Sequence, residues 1–298
     1  MTFVGLRWVL VFGSAVLLLA AENAVADVTG GAPTCLGEAA TIMGSPGRDV
    51  IHGTAGRDVI VTGRGFDEVH GGRGNDRVCA RRGGDDLYGG GGDDRLAAGR
   101  DGFLYDADHP TPDLLIGGRG NDMLNGGPGL NKTKRGTGDL VDYHGSPRPV
   151  RLDLATGEAK IGPSRDTLLS IEAVVGSAYA DHLAGDRYDN ELNGKEGTDV
   201  LRGKGRRDLL IGSADPDTLY GGTGYDIVTG YAGTDRLFAG PGPDEVYGGH
   251  RHDVLAGGDG DDRLYGNEGR DFADGGADRR FDICFAERKT DCERGSDD

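Results

Sequence analysis

Tryptophan is close to missing from this chain. Trp8 is the only one among 298 residues, and it lies in an N-terminal apolar run, so a flat sugar-stacking platform lacks its best residue. Proline is sparse as well, 11 residues against 57 glycines. That ratio, with a period of nine rather than three, excludes a collagen triple helix. No segment is apolar for the roughly 20 residues that a membrane helix takes; the run from Trp8 to Ala21 has 14. Basic charge is the minority sign: 33 Lys and Arg against 50 Asp and Glu leave −17. That balance argues against nucleic acid and anionic membranes, which need a basic face, and it suits cations. Two catalytic signatures are also missing. There is no H-E-x-x-H and no G-x-S-x-G, and no stretch outside the repeats is long enough for a catalytic domain.

Cysteine is limited to Cys35, Cys79, Cys284 and Cys292. No C-x-x-C pair is present, which makes a zinc site the weaker reading. The N-terminus supplies the context. Arg7 precedes the apolar run and Ala24-Val25-Ala26 has the small-x-small form of a cleavage site, so residues 1–26 are expected to be a secretory signal. An even cysteine count in an exported chain points to two disulfides. Three connectivities are open, and the distribution favours Cys35–Cys79 and Cys284–Cys292.

What the chain does have is a nine-residue repeat. Gly221-Gly222-Thr223-Gly224-Tyr225-Asp226-Ile227-Val228 has the form G-G-x-G-x-D-x-U, with U a large aliphatic residue. Gly71 to Val78, Gly117 to Leu124 and Gly257 to Leu264 repeat it. Six units run without a break from Gly44 to Ala97. Their sixth positions are Asp49, Asp58, Asp67, Asp76, Asp85 and Asp94, and their eighth positions are Ile51, Ile60, Val69, Val78, Leu87 and Leu96. Asp113 and Asp122 carry the register on. A second block places Asp181, Asn190, Asp199, Asp208, Asp217, Asp226, Asp235, Asp244, Asp253, Asp262 and Asp271 at the sixth position. Between the blocks, Val150 to Leu154 alternates like a strand and Ala155-Thr156-Gly157-Glu158 reads as a turn, a segment expected to pack as a side hairpin or bulge.

A unit of six turn residues and three strand residues gives one tight turn and one short strand, and two units complete a coil. Coils stack as parallel strands about 4.8 Å apart, with eighth-position aliphatics inward. Glycine at the first, second and fourth positions permits positive φ and close backbone approach. Units of equal parity lie above one another, so Asp226 stacks on Asp244 and Asp244 on Asp262. Stacked carboxylates repel unless a cation lies between them. Carboxylate and carbonyl oxygens suit a hard dication of flexible geometry, Ca²⁺ before Mg²⁺. The candidate ligands are the eighteen aspartates named at sixth positions, with the best turns expected around Asp58, Asp76, Asp94, Asp226, Asp235, Asp244 and Asp262. Other turns carry Tyr188, Arg206, Asp215 or Arg251 at the fourth position, where an arginine is expected to replace an ion by its own charge. His250-Arg251-His252 reads as an exposed turn, and Asp106, Asp108 and His109 lack a third partner for catalysis.

These units resemble the RTX, or haemolysin-type calcium-binding, repeats, and the segment from Cys35 to Cys79 is similar to secreted actinobacterial members. The resemblance implies an all-β parallel β-roll, a right-handed β-solenoid, with several Ca²⁺ ions in its turns and folding on Ca²⁺ binding. The expected organisation is a signal over 1–26, an N-terminal cap over 27–43, a first block over 44–130 interrupted at 98–107, a linker or hairpin over 131–175, a second block over 176–274 and a cysteine-containing cap over 275–298. The expected function is a secreted calcium-binding protein without catalysis, in a structural or adhesive role toward a cell-surface or matrix component, with no nucleic-acid partner and no membrane span. The competing readings are a calcium-dependent extracellular hydrolase, and a carbohydrate-binding adhesin using Phe103, Tyr105, Tyr143 and His144.

Overall fold

The computed structural model describes residues 33–103, 110–128, 138–276 and 282–290. The expected signal over 1–26, Tyr105, the Asp106 to His109 segment and Cys292 lie outside these residues. Within them the chain is all β, without a helix. Its strands form a fifteen-stranded sheet and a twelve-stranded sheet, and successive units alternate between the two. Partners along each sheet are parallel and eighteen residues apart through the repeats, as in Leu201 with Leu219 and Val228 with Val246. This is the parallel β-roll.

The eighth-position residues explain why the strands hold. Leu87, Leu115, Leu192, Leu219, Leu237 and Leu255 have no exposed surface, and they join one continuous core running from Ile51 to Cys284. Each buried leucine contributes about 1.5–3 kcal/mol through removal from water. No single coil closes a core, so the stability accumulates along the stack. Seventh- and ninth-position residues face outward. Ala273, the one non-branched eighth position at the far end, is still fully buried.

The two blocks share both sheets. In the fifteen-stranded sheet, the hairpin strands Ser164–Leu169, Glu158–Ile161 and Val150–Asp153 lie between Met123–Asn125 and His182–Ala184. The segment is therefore spliced into the sheet rather than carried beside it. Its alternation buries Val150, Leu152, Ala159 and Leu168 in the common core, and that burial draws it into the stack. In the twelve-stranded sheet, Leu140–Asp142 and Ala173–Val175 bridge the blocks directly.

At the N-terminal end, Ile42–Met43 opens the fifteen-stranded sheet by pairing with Val59–Val61. The short hairpin Thr34–Cys35 with Glu38–Ala39 precedes it. Cys35 packs there with Val59, Val61 and Cys79 in a satellite cluster on the outer face. The Cys35–Cys79 disulfide fastens that hairpin across 44 residues of sequence. Cys284 is also disulfide-bonded, and its expected partner Cys292 is outside the described residues.

Candidate metal centre

The sixth-position aspartates form two ladders, one along each edge of the roll. Each ladder is built by one recurring bond: the aspartate's backbone N–H donates to Oδ1 of the aspartate one coil further on. Asp58 donates to Asp76, Asp76 to Asp94 and Asp94 to Asp122, at 2.8–2.9 Å. Asp49 donates to Asp67, Asp67 to Asp85 and Asp85 to Asp113. In the second block the series run Asp181, Asp199, Asp217, Asp235, Asp253, Asp271 and Asn190, Asp208, Asp226, Asp244, Asp262. The stacking of Asp226, Asp244 and Asp262 thus has the expected order.

Five acids that the periodicity missed continue the ladders. Asp166, in the spliced hairpin, accepts from Asp122. Asp139 accepts from Asp113, and Glu172 from Asp139. Asp282 accepts from Asp262 and Glu287 from Asp271 at the C-terminal end. For four of the five a signal is visible: Asp139-Leu140-Val141, Asp166-Thr167-Leu168, Glu172-Ala173-Val174 and Asp282-Ile283-Cys284 each keep the acid-x-core triplet without the glycine turn before it.

The second carboxylate oxygen sets the chemistry. Oδ2 of Asp67, Asp76, Asp85, Asp94 and Asp122 is buried without a hydrogen-bond partner, and so is Oδ2 of Asp199, Asp217, Asp235, Asp244, Asp253 and Asp271. A buried carboxylate oxygen without a partner is costly. Burial pushes Asp76, Asp85, Asp94, Asp122, Asp199, Asp217, Asp235, Asp244, Asp253 and Asp271 upward against the backbone hydrogen bond that opposes the shift, and at all of these but Asp235 the like charge of a neighbouring rung adds to it. Asp94 and Asp253 rise to about 6, Asp85, Asp122, Asp199 and Asp244 to about 7, and Asp217 to about 8. At Asp49, Asp58 and Asp181 Oδ2 has a partner within the turn: it accepts from the backbone N–H of Ser45, Thr54 and Ser177, four residues earlier. Each of these turns lies near the start of a block and closes on its own aspartate.

The turn glycines serve two purposes. Gly72 and Gly74 have φ of 106° and 116°, the left-handed region. Gly71 does not, so positive φ is not the reason for the first-position glycine. A Cβ on Gly71 would instead lie 2.7 Å from both Asp76 Oδ2 and the Gly89 carbonyl oxygen. The missing side chain makes room for a carboxylate and a carbonyl to converge. Degenerate turns keep the same backbone: Lys204, Arg206, Tyr231 and Arg251 hold φ of 72–84°. Arg206 and Arg207 face Asp189, at 4.0 and 3.1 Å, rather than the ladder acid of their own turn, because their side chains project outward and are half exposed.

Among the described residues, no three His, Cys, Asp or Glu side chains converge. Turn carbonyls would supplement the ladder carboxylates in a cation's shell, an all-oxygen set that fits a hard dication and not a thiophilic metal. His250 instead lies 2.9 Å from Glu268, and His252 Nδ1 accepts from the Arg270 N–H. Tyr143, considered above as a sugar contact, is buried and donates its hydroxyl to Asp166 Oδ2 at 3.1 Å. Only 7% of it is exposed, too little to offer a sugar-stacking face.

Stacked coils whose turns gather carboxylate and carbonyl oxygens define a cation-binding β-roll. The chain matches the RTX calcium-binding nonapeptide repeat (4 copies) over residues 39–69, 52–87, 70–102, 112–131, 175–210, 211–246 and 247–281, more than half of its length, and it belongs to that family. Repeats of this family bind calcium, several ions per block. No curated protein matches the chain.

Proposed function

We propose that Ca²⁺ ions lie between successive coils, held by ladder aspartates and turn carbonyls, and that the roll folds as it takes them up. The observation that carries this reading is the run of buried, unpartnered Oδ2 atoms, among them Asp217, Asp235, Asp244 and Asp253. An ion of about six to eight oxygen ligands neutralises them and cancels the repulsion between rungs. All eighteen sixth-position aspartates remain candidates. Asp49, Asp58 and Asp181 rank last, since their Oδ2 is already bonded within its own turn.

The chain acts in this reading by binding and not by catalysis. Residues 1–26 direct export, consistent with a family whose members are typically secreted. Among the described residues no helix is long and apolar enough to cross a membrane. In this reading the stacked coils serve a structural or adhesive role outside the cell, supported by two long parallel sheets rather than by a catalytic cleft.

The test is far-UV circular dichroism of the chain in EDTA, titrated with CaCl₂ and separately with MgCl₂. A cooperative gain of β signal with Ca²⁺ alone is expected. A chain equally folded in EDTA would overturn ion-coupled folding.

A further inference from the structure

The fifteen-stranded sheet shows an outer face whose charge runs against that of the chain. Arg165, Lys160, Arg151 and His182 are direct register partners across four adjacent strands, and all four are exposed. Like charges opposite one another destabilise a sheet. Lys160 has one loose neighbour, Glu158 at 3.8 Å. Among the described residues Arg165 and Arg151 form no ion pair within 4.0 Å. His182 is held below its ordinary range by burial and then by Arg151 and Arg202. The fold gains nothing visible from this alignment.

Two grooves flank the row on the same face. One, of about 330 Å³, is lined by Arg151, Lys160, His182 and Arg202, with Asp153, Thr156 and Glu158 beside them. The other, of about 440 Å³, reaches the turn edge: it is lined by Arg57, Arg77, Arg95 and Arg165, with Asn75, Asp93 and Asn121 and the ladder acids Asp76, Asp94 and Asp122. Strand spacing of about 4.8 Å makes the cations a linear track across the solenoid's strands.

We propose that this face binds an acidic polysaccharide, with guanidinium and ammonium groups on its carboxylates and the amides and acids of the grooves on its hydroxyls. The mixed lining favours a sugar over a nucleic acid. Asp93, Asp153 and Glu158 would repel a dense phosphate backbone, and open aromatic faces for base stacking are not offered: Tyr220, beside the track, is stacked on Phe238 and covered by Arg202. The −17 of the whole chain excludes a polyanion only where the charge is evenly spread; here it is locally reversed. The inference requires a folded roll; the cation row and its first groove stand apart from the ladder acids, whereas the second groove shares Asp76, Asp94 and Asp122 with the proposed ion sites.

The experiment is calorimetric titration of the full chain in CaCl₂ with hyaluronan oligosaccharides, neutral dextran and single-stranded oligo-dT. Hyaluronan is expected to bind, more weakly as salt rises, and the other two are not. The triple variant Arg151→Gln, Lys160→Gln, Arg165→Gln is expected to lose about tenfold or more in affinity, while Arg263→Gln on the opposite sheet leaves it unchanged. Because the triple variant relieves repulsion, its melting temperature without ligand is expected to stay level or rise. A lower melting temperature would assign the cations to folding and overturn the proposal. So would absent hyaluronan binding by a chain that circular dichroism shows folded, or oligo-dT binding of equal strength.

Discussion

Asp235 donates its backbone N–H to Oδ1 of Asp253 at 2.9 Å, while Oδ2 of the same Asp253 has no hydrogen-bond partner. One carboxylate thus has two tasks. One oxygen ties a coil to its neighbour, and the other is left for an ion. A change that spares the first and removes the charge separates them.

Asp253→Asn keeps an oxygen for the Asp235 N–H and discards the charge. The calcium midpoint for folding is expected to rise severalfold, with little change in the β content reached at saturation. Asn190→Asp is the converse, adding a carboxylate where the ladder has an amide. Calcium titrations followed by circular dichroism measure both, and unchanged midpoints would detach the ladder from ion binding.

The raised acids give a pH dependence whose sign reverses with calcium. An acid whose folded-state pKa lies above its unfolded value of about 3.9 binds its proton more tightly when folded, so it stabilises at low pH and that stability is lost as pH rises. For Asp94, Asp85 and Asp217, at about 6, 7 and 8, the loss spans roughly pH 4 to 8. In EDTA the residual β signal is expected to be larger at pH 5 than at pH 8.5. In saturating CaCl₂ the melting temperature is expected to rise over the same interval, because protons compete with the ion. Far-UV circular dichroism in chelator and thermal melts in CaCl₂, each at both pH values, provide the check.

Gly224 and Gly91 form a matched pair. Gly224 has φ of 136°, and a Cβ there would fall on the Arg206 carbonyl. Gly91 is not left-handed, and a Cβ there meets nothing within 4 Å. Gly224→Ala is expected to cost about 1–3 kcal/mol or more, and Gly91→Ala to add about 0.4–1 kcal/mol by restricting the unfolded chain. Chemical denaturation in CaCl₂ resolves the two.

Tyr231 stands at a second turn position with φ of 72° and is more than half exposed. Tyr231→Gly removes left-handed strain of about 1 kcal/mol and concedes some unfolded-state entropy. The expected result is a melting temperature equal to or a few degrees above the parent's. A marked fall would show that the ring contributes packing.

The repeat made most of this architecture legible before any coordinates. Aspartate at every sixth position of the two blocks except Asn190, and an aliphatic residue two places on, specify stacking, core and edge ladders together. The period hid Asp166 because its strand, although parallel to the repeats, is entered from the reversed middle strand of a hairpin and so lacks the glycine turn before it. It hid Glu287 because the C-terminal coil has a non-repeat turn. The role of Gly71 was also beyond it: pattern shows that glycine recurs, but only coordinates distinguish a left-handed turn from space left for an oxygen. The cationic row is cross-strand, between residues such as Arg151 and Lys160 whose opposition depends on hairpin register.

The ladder bond also has a direction. Within each run of repeats a rung gives its N–H toward the C-terminus and receives one from the N-terminal side, as Asp217 does between Asp199 and Asp235, and Asp282 and Glu287 accept the last of these bonds. An added coil of two units carries its own donor and acceptor for each edge, so it can be inserted anywhere without leaving a mismatch. Length is then a nearly neutral trait. Unequal crossing-over within such a gene yields rods of different reach whose ends still fit. The hairpin holding Asp166 shows how lenient the rule is, for even a foreign segment is admitted once it hands over one acid.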